Sequence, residues 1–317
     1  MRILITGVTG FIGSSLAKRL LQLGLGEICG LMRFTSTTRH VPEGVRTFLG
    51  DLTDYYSVER VIKTVRPNVV IHLAALTPVS ESFHQPRRYA EVNYIGTINL
   101  VEAIRRYCED FRLFIYASTS EVYGDQTKFP LRENLTPKPN SPYAISKYAG
   151  ELYVSVYARQ AFNFPCVVAR PFNTYGRAPV GQRHFVVEYL LTSMLEGREE
   201  VHLGDPTIRR DFLFREDHVN AYVTLLKQAL DNEAIHGAVF NFTTGSDTSL
   251  KELVELCKEL TGWEGKVRWY SRLRPTDIRR LYGSYEKAKM MLGWEPKYDL
   301  RTGLRKAMEE WAKALNI

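Results

Sequence analysis

Arg2-Ile3-Leu4-Ile5-Thr6-Gly7-Val8-Thr9-Gly10-Phe11-Ile12-Gly13 opens the chain and decides the reading of its fold. Residues 2–6 read as a short apolar strand, Gly7-x-x-Gly10-x-x-Gly13 as a tight turn, and a helix begins near Ser14. Glycines permit such a turn and let a pyrophosphate approach the backbone. The helix start adds free N–H groups and a positive dipole end. Glycine triplets alone are weak evidence; strand–turn–helix is the setting that gives them meaning. Gly7, Thr9, Gly10, Phe11, Ile12 and Gly13 are therefore candidate contacts to a dinucleotide.

The alternation continues outward. A helix carrying Leu16, Leu20, Leu21 and Leu23 ends at Gly24-Leu25-Gly26, and a second strand spans roughly 27–32. At its end an NAD site usually carries an acid for the ribose hydroxyls. Arg33 stands there instead, followed by Thr35, Ser36, Thr37, Thr38 and Arg39. A cation among hydroxyls suits a 2′-phosphate, so the expected cofactor is NADP, with NAD as the alternative. A third strand at 45–49 leads to Asp51 and Leu52, placed for the adenine edge. A fourth, Val69–Leu73, runs into Ala74-Ala75, whose small side chains let backbone lie close to a cofactor; Leu73, Ala74 and Ala75 join the candidates. His72 reads as a packed strand residue. A helix from about Arg88 to Tyr107 carries Asn93 and Gly96 in its interior, costly on propensity alone. That cost points to close packing or a functional side chain at Asn93. Strands at Phe111–Tyr116 and Cys166–Ala169 complete the series. The expected fold is α/β, a Rossmann-type, doubly wound parallel sheet.

Ser118-Thr119-Ser120-Glu121-Val122-Tyr123-Gly124 follows the fifth strand, at the end where open α/β sheets bind ligands. Tyr143-Ala144-Ile145-Ser146-Lys147 opens the next helix, and its phenol and amine share one helical face. A free tyrosine, with a pKa of about 10, is a poor base at neutral pH. A neighbouring lysine favours the phenolate, which expects a usable general base. Thr119, Ser120, Glu121, Tyr143 and Lys147 are the candidate catalytic set.

Beyond residue 171 the pattern loosens into short strands and helices without a repeat or long linker. The sequence divides into a dinucleotide-binding domain of 1–171 plus about 212–243, and a smaller discontinuous domain of about 172–211 plus 244–317. Ser249-x-x-Glu252 is a capping box, and Leu304, Met308, Trp311 and Leu315 stripe the last helix. Of the 317 residues, 44% are hydrophobic and 24% charged, ordinary for a soluble globular protein. No apolar run approaches the roughly 18 residues that cross a bilayer, and no signal peptide precedes the first strand. Four scattered cysteines fit a reducing, cytoplasmic setting, and the seven histidines show no metal-ligand spacing. The net charge of +7 is dispersed, which fits an anionic small substrate better than nucleic acid.

Together Thr6-Gly7-x-x-Gly10-x-x-Gly13, Ser118–Gly124, Tyr143-x-x-x-Lys147, Arg170-Pro171-Phe172-Asn173 and Arg274-Pro275 resemble the extended short-chain dehydrogenase/reductases that modify nucleotide sugars. The resemblance spans essentially the whole chain. Thr119-Ser120-Glu121 looks most like the 4,6-dehydratases, those of GDP-mannose or UDP-N-acetylglucosamine in particular. It implies that Tyr143 and Lys147, with Thr119, oxidise C4 of the sugar through NAD(P). Glu121, with Ser120, would then eliminate water across C5–C6. Asn173, Arg210 and Arg274 are implied holds on the substrate, a GDP- or UDP-sugar. The helices at 88–107 and 143–161 are an implied homodimer interface. A 4-epimerase, a UDP-glucuronate decarboxylase, and a non-catalytic nucleotide-binding regulator on the same fold stay open as alternatives.

Overall fold

A computed structural model describes residues 1–178, 185–270 and 277–317. The described chain divides into two compact units. One comprises Met1–Val122, Pro139–Arg170 and Val219–Phe240; the other comprises Tyr123–Lys138, Pro171–His218 and Asn241–Ile317. Of the residues expected in the first domain, 123–138, 171, 212–218 and 241–243 fall in the second unit.

The first unit is built on strands β1 (Arg2–Thr6), β2 (Glu27–Met32), β3 (Arg46–Leu49), β4 (Val69–His72), β5 (Leu113–Ala117) and β6 (Cys166–Pro171). They form a seven-stranded sheet in the order Val239–Phe242, β6, β5, β4, β1, β2, β3, and the registered pairs from β6 to β3 are all parallel. Ile3, Leu4, Ile5, Val69, Val70, Ile71 and Leu113 through Tyr116 are fully buried. Such unbroken apolar runs belong to strands covered on both faces. The chain steps outward from β1 through β2 to β3, then returns to place β4 on β1's other side. That reversal is the switch point where doubly wound sheets take ligands. The fold expected from the sequence is the fold observed.

Helix α1 spans Phe11–Gln22 and α2 Tyr55–Val65. The segment after β4, with no element expected, contains the short helix α3 (Val79–Ser82). The helix expected at 88–107 is three joined pieces: α4 (Pro86–Ala90), a π-helical turn (Glu91–Ile95) and α5 (Gly96–Tyr107). The next helix follows the same plan, α6 (Pro142–Leu152), a π-helical stretch (Tyr153–Ala158) and α7 (Arg159–Phe162). The glycines explain why these helices sit where they do. A Cβ on Gly96 would lie 2.9 Å from Leu52 Cβ, and one on Gly150 only 2.3 Å from Tyr116 Oη.

In the second unit, Asn173–Tyr175 pairs in parallel with Phe212–Phe214. Arg209–Arg210 lies between Thr248–Ser249 and Arg280–Leu281. Glu200–Leu203 pairs with Lys266–Trp269. Helices Val186–Leu195, Leu250–Thr261, Glu286–Leu292 and Leu300–Leu315 accompany them. The capping box forms: Glu252 N–H donates to Ser249 Oγ (3.1 Å), and Ser249 N–H to Glu252 Oε2 (2.7 Å). Leu304 and Trp311 are buried, as their stripe requires.

Gly150 gives a direct test of the packing under α6. Gly150→Ala forces a methyl group into Tyr116 and strains its hydrogen bond to the Lys147 carbonyl. Overpacking of this kind costs about 1–3 kcal/mol. The thermal midpoint should fall, and Tyr116→Phe in the same chain should recover part of the loss.

Candidate active site

The glycine turn is closed by contacts that admit no side chain. Gly7 has φ of +73°, and a Cβ on Gly13 would lie 2.1 Å from Gly7 O. Gly10 N–H donates to Gly7 O at 2.9 Å, and no side chain caps α1. Thr9, Phe11 and Ile12 ride on this turn and the first helical residues. Backbone donors at an uncapped helix start suit a pyrophosphate. Beside the turn, Ala74 N–H donates to Thr6 Oγ1 at 3.1 Å. Thr6 Oγ1 is bonded to His72 Nδ1 (2.7 Å), and His72 Nε2 to Thr97 Oγ1 (3.0 Å). Burial, then the nearby Lys147 charge, pushes the His72 pKa down to about 3, so the ring is neutral. This buried chain fixes the segment Leu73-Ala74-Ala75 against β1.

Asn93, a cofactor candidate by sequence, bonds protein with its side chain. Oδ1 accepts from Leu76 N–H (2.8 Å), and Nδ2 donates to Leu76 O (3.0 Å) and Ser146 Oγ (3.0 Å). Asn93 thus ties the segment after β4 to α6. Arg33 is exposed at the end of β2, and Leu52 is buried below Gly96. Partial burial pushes the Asp51 carboxyl up, but Thr53 N–H and hydroxyl bonds, with the Arg88 and Arg33 charges, outweigh it and hold it below its usual range. Arg33 and Arg88 therefore both act on Asp51, the carboxylate expected at the adenine edge. The set of backbone donors, carboxylate and guanidinium fits a nicotinamide dinucleotide.

At the C-terminal end of β5 the chain turns through Ser120–Tyr123 as a 3-10 helix. Thr119 and Ser120 are buried, and Glu121 is half-buried. Glu121 N–H donates to Thr119 Oγ1 at 3.2 Å. Ser141 caps α6, accepting from Ala144 N–H at 3.1 Å, and so orients the turn carrying Tyr143. Tyr143 hydrogen-bonds Thr119 and meets Tyr89 edge-on, with ring centroids 6.3 Å apart. The fold brings Thr119, Glu121 and Tyr143 into one electrostatic neighbourhood.

The expected lowering of the tyrosine pKa by Lys147 is not what the chain alone displays. Burial pushes Tyr143 above its ordinary value. The Thr119 hydrogen bond opposes that, while Glu121 and Tyr89 add to it. Burial pushes Lys147 down to about 7, against the pull of Glu151. Desolvation disfavours both charged forms, and helical spacing alone gave no sign of it. Lys147 Nζ sits 4.5 Å from the centre of the Tyr116 ring.

Reasoning from the sequence missed what lies one turn below Lys147. Glu151 is buried, accepts from Ser118 Oγ (2.6 Å) and Arg170 Nε (3.1 Å), and is ion-paired to Arg170 through the other carboxylate oxygen. The continuing spacing Tyr143, Lys147, Glu151 was the available signal.

In the second unit, Asn173 N–H donates to Asp211 O at 3.1 Å. The Asn173 Oδ1 atom is buried without a hydrogen-bond partner among the described residues. Arg210 Nη1 donates to the Arg209 carbonyl (2.9 Å), while Arg209 and Arg280 are both ion-paired to Asp247. Arg274 lies outside the described residues. Among the described residues no cluster of side chains could hold a metal ion, and no helix is long and apolar enough to cross a membrane.

Comparison with known proteins identifies the family. The model of the GDP-mannose 4,6 dehydratase family matches residues 4–307. A putative UDP-glucose 4-epimerase of Methanocaldococcus jannaschii is 31% identical over 99% of both chains. Human dTDP-D-glucose 4,6-dehydratase is 31% identical over 97% of this chain and 89% of its own. Among solved structures, the UDP-glucose 4-epimerase of Thermotoga maritima with UDP-glucose has a TM-score of 0.90 at 34% identity, covering 99% of this chain and 100% of its own. The Thermus thermophilus UDP-glucose 4-epimerase complex with NAD scores 0.88 at 32% identity, covering 99% and 100%. RMD of Pseudomonas aeruginosa complexed with NADPH scores 0.80 at 29%, covering 99% of both chains. With its glycine turn, its Thr119–Tyr143 pair and its full-length match, the chain belongs to the nucleotide-sugar epimerase/dehydratase family, enzymes of the short-chain dehydrogenase/reductase type that work through a nicotinamide cofactor.

Proposed function

We propose that the chain is a nucleotide-sugar 4,6-dehydratase acting on a GDP- or UDP-sugar. The observation that carries this reading is Glu121, a carboxylate at the end of β5 whose charge acts on Tyr143. When bound at the glycine turn, the cofactor would supply the place where hydride from C4 is held before its return at C6. Tyr143 takes the 4-OH proton, Thr119 hydrogen-bonds the 4-oxygen, and Lys147 supplies positive charge beside the phenol. The ketone acidifies the C5 proton, which Glu121 removes. Glu121, or Ser120 beside it, protonates the departing 6-OH, which leaves as water. C5 regains one proton, balancing the one Tyr143 took. Asn173, Arg210 and Arg274 are assigned to the substrate, the first because its buried Oδ1 lacks a partner among the described residues.

Arg33, with Arg88 reaching the same neighbourhood at Asp51, supports NADP as the cofactor. Ile95, Ile145, Leu152, Val156 and Tyr157 are exposed on the two helical segments assigned to a homodimer interface. Free cysteines, with Cys29, Cys166 and Cys257 buried, fit a cytoplasmic setting. A second reading, 4-epimerisation, is favoured by the relatives that carry that activity in their names. It uses Tyr143, Lys147 and Thr119 alike and leaves Glu121 without a proton to move.

Mass spectrometry of GDP-mannose, UDP-N-acetylglucosamine, UDP-glucose, UDP-glucuronate and dTDP-glucose incubated with the protein separates the readings. Loss of water from one of them is expected. Inversion at C4 without a mass change would sink the dehydratase reading, and loss of carbon dioxide would replace it with a decarboxylase. Glu121→Gln should keep its cofactor and thermal midpoint while losing about 100-fold or more in water loss; undiminished turnover removes the assigned role.

Calorimetric titration tests the cofactor. NADP should bind more tightly than NAD, and Arg33→Ala should shrink that preference by about tenfold or more, the worth of a charge-assisted hydrogen bond. A native preference for NAD would overturn the assignment of Arg33.

A further inference from the structure

Three ionisable side chains lie buried under the end of β5. Lys147, Glu151 and Arg170 are each no more than 3% exposed. Lys147 and Glu151 are one turn apart on α6, so they share a face. Arg170, from β6, bonds Glu151 through Nε and its terminal nitrogen. Ser118, the residue that follows β5, donates to the same carboxylate at 2.6 Å. Ser118 N–H in turn donates to Ala169 O at 2.7 Å, so the ends of β5 and β6 are joined directly. Glu151 therefore ties three elements together immediately behind Thr119, which hydrogen-bonds Tyr143.

The surroundings of Lys147 leave Glu151 an electrical task as well. His72, from β4, is neutral. Tyr116, from β5, is held protonated by burial, with Glu151 adding to that effect. Tyr143, on the same helix, is also held protonated in the chain alone, with Glu121 and Tyr89 acting on it. Arg170 is a cation and cannot relieve a buried ammonium. Among the described residues, Glu151 is the anion acting on Lys147. Its charge is divided between that lysine and Arg170.

We infer that Glu151 is a positioning residue for the oxidation step: gripped by Ser118 and Arg170 one turn from Lys147, it supplies the buried counter-charge that keeps Lys147 an ammonium and fixes the β5 end that carries Thr119. It touches neither substrate nor cofactor in this role. An ammonium at Lys147 favours the phenolate of Tyr143, so Glu151 acts on the base through the lysine. The inference rests on the Tyr143–Lys147 oxidation and not on the elimination of water assigned to Glu121.

Side-chain NMR of lysine-labelled protein, with Lys147 assigned through Lys147→Met, reads the lysine charge directly and needs no substrate. Glu151→Gln should move the Lys147 titration down by about one pH unit or more, the effect of a close opposite charge. Glu151→Asp, which keeps the charge, should restore most of it. Arg170→Met should move the titration upward, because the carboxylate is no longer shared. An unchanged midpoint in Glu151→Gln, or a downward move in Arg170→Met, overturns the inference; the arginine variant decides it alone if the glutamine variant does not fold.

Single-turnover reduction of the nicotinamide by substrate supplies the catalytic readout. With Lys147 less charged, Tyr143 holds its proton more tightly, so the acid limb in Glu151→Gln should shift to higher pH. A lysine midpoint that moves while the acid limb stays fixed breaks the link to catalysis. If the wild-type protein eliminates no water from any nucleotide sugar, the proposed function fails while the lysine titration still decides this inference.

Discussion

Arg170 and Glu151 form an ion pair with almost no access to water, and the candidate site of the first unit is hung from it. Taking two charges out of water costs several kcal/mol each, and their attraction offsets this only when the remaining hydrogen-bonding capacity is met. Here Ser118 and two guanidinium nitrogens meet it on the carboxylate side. Breaking such a pair from one side typically costs about 3–5 kcal/mol, because the other charge is left buried and alone. The pair therefore constrains more than it stabilises. It fixes β5 and β6 against α6 at the residues just before Thr119, Tyr143 and Lys147 take over.

A second constraint works from the opposite side of the sheet's switch point. Gly7 and Gly13 meet so closely that any side chain would break the turn, and the turn leaves α1 without a side-chain cap. The Thr6–His72–Thr97 chain and the Asn93 clamp on Leu76 hold the facing segment still. Both hold backbone in place, which matters because a hydride can pass only between atoms positioned to a fraction of an ångström.

The sheet was legible because its signals are local and redundant. Apolar runs, glycine punctuation and helical stripes agree from β1 to β6, and each also agrees with its neighbours. The short strands at Asn173–Tyr175, Arg209–Arg210, Thr248–Ser249 and Arg280–Leu281 were not legible, since two or three residues carry no periodicity. The π-helical turn at Glu91–Ile95 escaped as well: the side chain it carries at Asn93 bonds partners 17 and 53 residues away, which local spacing cannot show. Glu151 escaped because the meaning of its spacing depends on burial, and burial belongs to the tertiary fold. The same omission misjudged the phenol. Proximity of Tyr143 to Lys147 could be read from the sequence, but the desolvation that opposes both charges could not.

The dehydratase and epimerase readings share one proposed step, oxidation at C4, and part afterwards. The fold cannot decide between them, because every element that positions Thr119, Tyr143 and Lys147 serves each outcome equally. Glu121 does not serve them equally. Its charge pushes the Tyr143 pKa further up, so it opposes the phenolate proposed to start the reaction. In a pure 4-epimerase that opposition would have no return. In a dehydratase the same carboxylate is the base that the ketone makes useful, since only then is the C5 proton acidic enough to take. On the proposed dehydratase reading Glu121 hinders the first step and enables the second; on the epimerase reading it has no second step to enable.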